Sequence, residues 1–444
     1  MTHSSPFAGM TAQYHTLGCK LNFAETSTVG RILAERGVRT AAEGEQPDII
    51  VVNTCSVTQV ADHKCRQTIR HLSSLYPSAL IVVTGCYAQL KSSEVAAIEG
   101  VDIVVGSGRK NEIADLIDRW MATRQPAVEV TPISQIDTFS PSCSRGDRTR
   151  YFLKVQDGCD YYCSYCTIPY ARGRSRSGTI AQLVAQARQV AAEGGKEIVI
   201  TGVNIGDFGK NTGEPFIDLL RQLDCVEGIE RYRISSIEPD LLSDEIVEFV
   251  AGSRAFMPHF HIPLQSGSDE SLRLMRRRYN THLFAHKVEL IRRMMPDAFI
   301  GVDLMVGTRG ETEELWQQSQ QFVESLDISR LHVFPYSERP GTSALKTIKY
   351  TVDKPTRSQR TATMIAISDE KLHRFMQRFA GSVRPVLWEQ PKPGMPMHGF
   401  TDNYIRVEAP LEADKINRVT PAKLLGFSTN DPATMIADTS ATTC

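Results

Sequence analysis

The sequence predicts a multidomain α/β fold, and three observations support that class. The chain has 444 residues, which is more than one compact core usually holds. Up to about residue 380, short apolar runs such as IIVV (49–52) alternate with amphipathic helical stretches, a pattern typical of parallel strands joined by helices. Near residue 384, proline and glycine interrupt the chain and short strands follow without helices, which indicates a small β-barrel.

These patterns divide the chain into segments. Residues 10–122 predict a parallel-sheet α/β domain, and residues 123–149, which show no periodicity, predict a linker. Residues 150–380 contain six strand–helix units, too few for a closed eight-stranded barrel, so we expect a partial barrel. Residues 384–428 predict the β-barrel, and residues 429–444 predict a disordered tail.

Composition narrows the class of protein. No apolar run is long enough to cross a bilayer, and the N-terminus lacks the basic and apolar segments of a secretory signal. We therefore expect a cytoplasmic protein without a membrane partner, in a compartment that keeps its ten cysteines reduced. The net charge of −1 does not support a nucleic-acid partner, so any RNA contact must come from a local basic patch.

A central cysteine motif carries the strongest chemical signal. Cys159, Cys163 and Cys166 form the pattern C-x3-C-x2-C directly after the predicted strand YFLKVQD. Iron–sulfur clusters usually have four thiolate ligands, so three in one loop indicate a catalytic cluster with one iron left open. A zinc loop is the alternative, although zinc sites more often pair two C-x2-C motifs.

Three further cysteines share one context near the N-terminus. Cys19, Cys55 and Cys86 each follow a predicted strand. The carboxyl ends of parallel strands meet at one edge of a sheet, so these thiols can converge and bind a second cluster. The alternative is that small buried cysteines merely pack behind the strands. Cys65 lies within a predicted helix, and we do not expect it to be a ligand.

Several longer segments occur in a characteristic order between about residues 13 and 345: HTLGCKLNFAET, VVNTCSVT, VTGCYAQ, CDYYCSYCTIPYARGRSRS, ISSIEP, HIPLQSGSD and HVFPYSERPGTSA. In order and spacing they resemble the radical S-adenosylmethionine methylthiotransferase family. The resemblance implies two 4Fe–4S clusters, one on each cysteine triad, and S-adenosylmethionine as cofactor. It implies a radical S-adenosylmethionine fold for the partial barrel, and the C-terminal barrel is more weakly similar to a TRAM domain.

The family resemblance also implies a mechanism. The open iron of the central cluster binds the methionine moiety of S-adenosylmethionine, and one-electron reduction yields a 5′-deoxyadenosyl radical that abstracts the hydrogen from carbon 2 of adenine. The N-terminal cluster supplies sulfur, which a second S-adenosylmethionine methylates. Residues implied to contact the cofactor are Tyr165, Gly202, Glu238, Gln265, Ser266, Gly307 and Glu311. Thr308 and Arg309 depart from the GFPGE segment that relatives often have.

The segment LGCKLN resembles the family branch that acts on N6-threonylcarbamoyladenosine beside the tRNA anticodon. The alternative branch, acting on N6-isopentenyladenosine, typically has a YGCQMN-like segment, and the branch that modifies a ribosomal protein has an LGCPKN-like one. A non-enzymatic iron–sulfur or zinc RNA-binding protein is a more distant alternative.

The expected partners are the anticodon loop of tRNA and an electron donor such as flavodoxin or ferredoxin, and we expect no DNA partner. Phosphate contacts should provide most of the affinity for RNA. The best candidates for them are Arg172, Arg174 and Arg176, because they leave the central cysteine loop.

Overall fold

The N-terminal domain is built around one sheet of six parallel strands. The computed structural model describes residues 7–144 and 149–441. In chain order the strands are β1 (Thr11–Thr16), β2 (Arg39–Thr40), β3 (Ile49–Thr54), β4 (Leu80–Gly85), β5 (Ile103–Val105) and β6 (Ala127–Glu129), and the sheet order is β2-β1-β3-β4-β5-β6. The helices are α1 (Lys20–Glu35), α2 (Gln59–Leu75), α3 (Cys86–Leu90), α4 (Ser92–Ala96) and α5 (Ile113–Thr123). Every residue of β3 and β4 is buried, because helices cover both faces of the sheet.

The central domain is a partial barrel of six parallel strands, as predicted. These are β8 (Arg150–Lys154), β11 (Glu197–Thr201), β12 (Arg231–Ile234), β13 (His259–Gln265), β14 (Phe299–Val306) and β15 (Arg330–Pro335), with short strands β7 (Ser142–Cys143), β9 (Gln156–Asp157) and β10 (Arg176–Ser177) beside them. The sheets β12-β11-β8-β7 and β13-β14-β15 join through a bridge between Ser236 and His261. The helices are α6 (Ile168–Arg172), α7 (Ile180–Ala192), α8 (Phe216–Asp224), α9 (Asp244–Gly252), α10 (Asp269–Leu274), α11 (Thr281–Met294), α12 (Glu313–Ser325), α13 (Ser343–Thr347) and α14 (Lys354–Gln377).

The expected linker needs correction, because segment 123–149 adds strands to two sheets. β6 forms an outer edge of the N-terminal sheet, and β7 pairs antiparallel with β8. Strands of two or three residues are too short to show the alternation that reveals a strand in a sequence. Residues 145–148 of this segment lie outside the described part of the chain.

The C-terminal domain is a closed five-stranded barrel in the order β16-β17-β18-β20-β19. Its strands are β16 (Val383–Glu389), β17 (Met397–Thr401), β18 (Arg406–Ala409), β19 (Val419–Phe427) and β20 (Met435–Asp438). The last strand corrects the prediction of a disordered tail from residue 429. Met435 and Ala437 are buried while Ile436 is 39% exposed, so two apolar residues in a polar segment suffice to close the barrel.

The C-terminal barrel covers the amino-terminal ends of the central strands. Arg231, at the start of β12, donates hydrogen bonds to the carbonyl oxygens of Pro385 and Phe400 at 2.8 and 2.9 Å. Tyr404 packs against His259 and Phe299, which begin β13 and β14, with ring centroids 4.3 and 5.4 Å away. The carboxyl ends of the strands, which carry the cysteines, therefore lie at the opposite end of the partial barrel.

Across residues 7–144 and 149–441, no helix combines the length and apolarity needed to cross a membrane.

A buried ionic cluster joins the N-terminal domain to the partial barrel. Glu25, on α1, contacts Lys110 of its own domain, Lys154 of β8 at 3.0 Å and Arg172 of α6 at 2.9 Å. None of these side chains is more than 7% exposed. Burial alone would raise the pKa of the Glu25 carboxyl, but the three cations hold it well below its ordinary value.

The cluster continues through a second carboxylate, Asp157 of β9. It accepts from Lys154 at 2.7 Å, Arg172 at 3.0 Å and Arg176 at 3.1 Å. Two carboxylates thus face four cations, which leaves two positive charges in excess.

Replacing Glu25 with Ala should lower the free energy of unfolding by about 3–5 kcal/mol, because buried cations lose a compensating charge. Denaturant unfolding at pH 7 measures this change. Since the folded pKa is depressed, the difference from the unsubstituted protein should shrink as pH falls below the unfolded value of about 4.3. The matched control is Glu45→Ala, which removes a solvent-exposed ion pair with Arg39 and should leave stability unchanged. Equal effects of both substitutions would contradict the importance of the buried cluster.

Candidate active site

The three N-terminal cysteines converge at the carboxyl edge of the first sheet. β1, β3 and β4 are parallel neighbours, so their ends lie side by side. Cys55 directly follows β3, Cys86 follows β4 as the first residue of α3, and Cys19 lies between β1 and α1. Gly18 adopts a φ of +119°, and a Cβ there would lie 2.8 Å from the Cβ of Cys55. Glycine at this position therefore lets the Cys19 loop lie directly against Cys55.

The central cysteines occupy the loop beyond β8 and β9, and each sulfur lies beside an N–H donor. The backbone N–H groups of Tyr161 and Ile168 lie 3.5 and 3.4 Å from the sulfurs of Cys159 and Cys166. The guanidinium of Arg277 donates to the sulfur of Cys163 at 3.0 Å. Hydrogen bonds to sulfur are among the means by which proteins set the potential of iron–sulfur clusters.

The spacing of the thiols bears on the zinc alternative. Thiolates around one zinc ion lie about 2.3 Å from it, which places their sulfurs roughly 4 Å apart. Among the described residues, no three cysteine sulfurs all lie within 4.8 Å of one another. In this geometry neither triad surrounds a single zinc ion with three thiolates, and three thiolates are the donor set of a cluster with one open iron.

One cavity of about 850 Å³ receives cysteines from both domains. Cys19, Cys55 and Cys86 form one wall, and Cys166 belongs to the opposite wall. Three of the residues implied to contact the cofactor, Tyr165, Gly202 and Gln265, also line this cavity. The remaining lining residues are Thr16, Leu17, Gly18, Leu21, Asn22, Val57, Thr58, Ala61, Lys64, Cys65, Thr167, Ile168, Arg172, Val203, Asp303, Met305, Phe334, Pro335, Tyr336 and Ser337.

Glu238 lies beside the central triad without lining the cavity. It pairs with Arg277, the residue that contacts Cys163. Burial raises the pKa of the Glu238 carboxyl to about 7, although the positive charge of Arg277 opposes this shift.

Ser266, Gly307 and Glu311 are engaged within the protein and do not line the cavity. Ser266 is buried and its hydroxyl accepts from the backbone N–H of Ser268. Glu311 accepts from the N–H of Gly307 at 2.9 Å and from Arg360 of α14 at 2.8 Å. These contacts tie the turn after β14 to the long helix.

The three arginines that follow the cysteine loop differ in exposure. Arg172 and Arg176 belong to the buried ionic cluster, with side chains 2% and 5% exposed, so neither offers a surface to RNA. The structure contradicts the prediction that these two arginines contact RNA phosphates, because both guanidinium groups pair with Asp157 inside the protein. The Arg174 side chain is 80% exposed, and its Nε lies 3.3 Å from Oδ1 of Asp160. Of the three arginines, Arg174 alone keeps the predicted role of an RNA contact.

Two features of the site were not predicted from the sequence. Cys65, on α2, lines the cavity and donates from its thiol to the carbonyl oxygen of Cys55 at 3.3 Å. On neighbouring strands, Asp303 lies 2.7 Å from His261 and 3.3 Å from His332. Burial would raise the pKa of Asp303, but the two imidazoles hold it well below its ordinary value. The position of Asp303 in the lining makes this part of the cavity wall polar.

Burial controls the protonation of the cysteines that are candidate cluster ligands. It raises the pKa of Cys55, Cys159 and Cys166 to about 12, so these thiols are protonated at neutral pH without metal. Burial also raises the pKa of Cys86, which the neighbouring Arg172 and Lys110 oppose. Binding of iron must therefore displace thiol protons.

Loading of the metal-free protein with Fe²⁺ and sulfide should release about one proton for each thiol that becomes a ligand, in addition to the proton that each hydrosulfide loses when it becomes a bridging sulfide. Because these pKa values lie above neutrality, higher pH should favour loading. An anaerobic pH-stat titration measures the total number of protons, and the acid-labile sulfide content of the loaded protein gives the number to subtract. Cys225→Ser, at an exposed helix end, should release as many protons as the unsubstituted chain. Full loading that releases only the sulfide protons would exclude these thiols as ligands.

Two family models match the chain in order. Residues 11–106 match the model described as "Uncharacterized protein family UPF0004", and residues 153–323 match the Radical SAM superfamily. The first covers the three N-terminal cysteines and the second covers the central triad.

Named relatives match almost the whole chain. It is 36% identical to "Threonylcarbamoyladenosine tRNA methylthiotransferase MtaB" of Bacillus subtilis (strain 168), over 95% of each protein. A protein of the same name from Thermotoga maritima is 34% identical, over 90% of this chain and 91% of the relative. "tRNA-2-methylthio-N(6)-dimethylallyladenosine synthase" of Syntrophomonas wolfei is 33% identical, over 85% of this chain and 86% of the relative.

Among solved structures, the radical S-adenosylmethionine methyltransferase TsrM of Kitasatospora setae aligns with a TM-score of 0.58. The alignment covers 76% of this chain and 77% of that structure at 14% identity, and it concerns the fold alone. The two family models match residues 11–106 and 153–323, and the relatives match 85–95% of the chain. The chain belongs to the radical S-adenosylmethionine methylthiotransferase family.

Proposed function

We propose that this enzyme converts N6-threonylcarbamoyladenosine, beside the anticodon of tRNA, to its 2-methylthio derivative. The observation that carries the proposal is the single cavity of about 850 Å³ to which both cysteine triads contribute. A carbon that must meet two reactive centres needs such a shared space. The LGCKLN segment and the names of the first relatives support the threonylcarbamoyl branch.

Each wall of the cavity carries the cysteines for one cluster. Cys159, Cys163 and Cys166 would hold one 4Fe–4S cluster, and the N-terminal triad would hold a second. When bound, the clusters and S-adenosylmethionine supply reductive cleavage of the sulfonium and the sulfur that replaces the hydrogen on carbon 2. The Arg277 guanidinium stabilises the Cys163 thiolate, since it donates directly to that sulfur.

Several features suit a nucleoside from single-stranded RNA. An anticodon-loop base can be splayed into a pocket without opening a duplex. Phe334 lines the cavity and is 47% exposed, so its ring offers a face on which such a base can stack. Arg174 supplies an exposed cation for a phosphate. The reaction also needs an electron donor of the flavodoxin or ferredoxin class, and we place the enzyme with its tRNA in the cytoplasm.

A strain lacking this protein should lose 2-methylthio-N6-threonylcarbamoyladenosine and accumulate the precursor without the methylthio group. Mass spectrometry of tRNA nucleosides measures both compounds, and restoring the gene should restore the product. Loss of the 2-methylthio isopentenyl nucleoside instead would move the enzyme to the other tRNA branch. An unchanged nucleoside profile would refute tRNA as the substrate.

The two triads should fail differently when each loses a cysteine. Cys163→Ala should abolish formation of 5′-deoxyadenosine, because the cofactor can no longer be cleaved. Cys55→Ala should still form 5′-deoxyadenosine in the presence of a strong chemical reductant, yet produce no methylthio nucleoside. Iron should fall from about eight to about four atoms per chain in each variant. Cys225→Ala is the control, and its iron content and products should remain unchanged.

Circular dichroism checks that each variant remains folded. A folded Cys55→Ala protein that still makes the full amount of methylthio product would reduce the N-terminal cysteines to packing residues and refute the two-cluster mechanism.

A further inference from the structure

The charged side chains that line the cavity differ in their partners. Arg172 is bound to two buried carboxylates, and Asp303 is bound to two imidazoles. Lys64 lines the same cavity and is exposed, and within the described residues its ammonium group forms no ion pair or hydrogen bond. The described lining of the cavity thus contains one cation that the protein itself does not neutralise.

Lys64 is fixed close to the N-terminal triad by its helix. Thr58 caps α2 by accepting from the N–H of Ala61, which sets the start of the helix. Ala61, Lys64 and Cys65 are three and four residues apart, so they share the helix face that lines the cavity. The thiol of Cys65 donates a hydrogen bond to the backbone carbonyl of Cys55, and Lys64 is the residue directly before Cys65. This contact therefore holds the backbone of Lys64 close to the N-terminal triad.

We propose that Lys64 binds the carboxylate of the threonylcarbamoyl group and determines specificity for it. This assignment rests on the proposed function. The threonylcarbamoyl substituent ends in a carboxylate, whereas the isopentenyl substituent is a hydrocarbon. A carboxylate that enters an enclosed space without a cation loses hydration without compensation. An ammonium on a flexible stem can follow it and form a charge-assisted hydrogen bond.

The geometry of the base agrees with this assignment. Carbon 2 and carbon 6 belong to the same six-membered ring, and the substituent is attached at carbon 6 through N6. Carbon 2 and N6 are separated only by N1 and carbon 6, so when carbon 2 faces the N-terminal triad a carboxylate at the end of the flexible substituent can reach that wall of the cavity. Lys64 belongs to the same wall.

The test compares three anticodon stem-loops of identical sequence. One carries threonylcarbamoyladenosine, one carries its neutral threoninamide analogue, and one carries unmodified adenosine. Their affinities for the full-length, anaerobically reconstituted enzyme with S-adenosylmethionine are measured by fluorescence anisotropy at fixed salt. The unsubstituted enzyme should bind the charged substrate about ten-fold more tightly than the other two RNAs.

Lys64→Met should remove that preference by weakening only the charged substrate, about ten-fold, and Lys64→Arg should keep part of it. Arg70→Met is the matched control: it removes a cation from an exposed position of α2 that does not line the cavity. The control should retain the full preference. Iron and sulfide content checks that each variant holds its clusters.

Three results would overturn the assignment. Equal weakening of all three RNAs by Lys64→Met would mean a contact with phosphate. A preference that survives in Lys64→Met would refute this assignment and leave the proposed function intact. Absence of any preference in the unsubstituted enzyme, together with no methylthio product from the charged stem-loop, would refute both.

Discussion

The buried ionic cluster between the first two domains is the interaction on which the arrangement of the site depends. Glu25 on one side and Lys154, Asp157 and Arg172 on the other fix the edge of the N-terminal sheet over the mouth of the partial barrel. Its excess positive charge lies beside Cys86, where it opposes the effect of burial on that thiol. Domain docking and ligand chemistry are therefore served by the same residues.

The sequence revealed the features that depend on residue type and on strand order. Buried apolar runs marked the strands, and cysteines that follow strands marked the sheet edges, because parallel strands bring such positions together regardless of their separation in the chain. The structure confirms the partial barrel and the small β-barrel. The two family models and the methylthiotransferases among the relatives agree with the resemblance read from the motifs.

The remaining features depend on tertiary contacts that no local pattern encodes. Arg172 and Arg176 look like Arg174 in the sequence, and the carboxylates that bury them come partly from a distant helix. Cys65 lines the cavity because it lies on the face of α2 that borders it. β20 is recognisable from the barrel that it closes, because its sequence, MIAD, does not alternate between apolar and polar residues although the burial of these residues does.

The position of the C-terminal barrel has a consequence for the traffic of ligands. Tyr404, His259 and Phe299 fill the lower end of the partial barrel, and Arg231 fastens the small barrel over it. Ligands therefore reach the cysteines from the carboxyl ends of the strands, where the cavity lies, and not through the barrel. The small barrel closes the base of the central domain but contributes none of its described residues to the lining of the cavity.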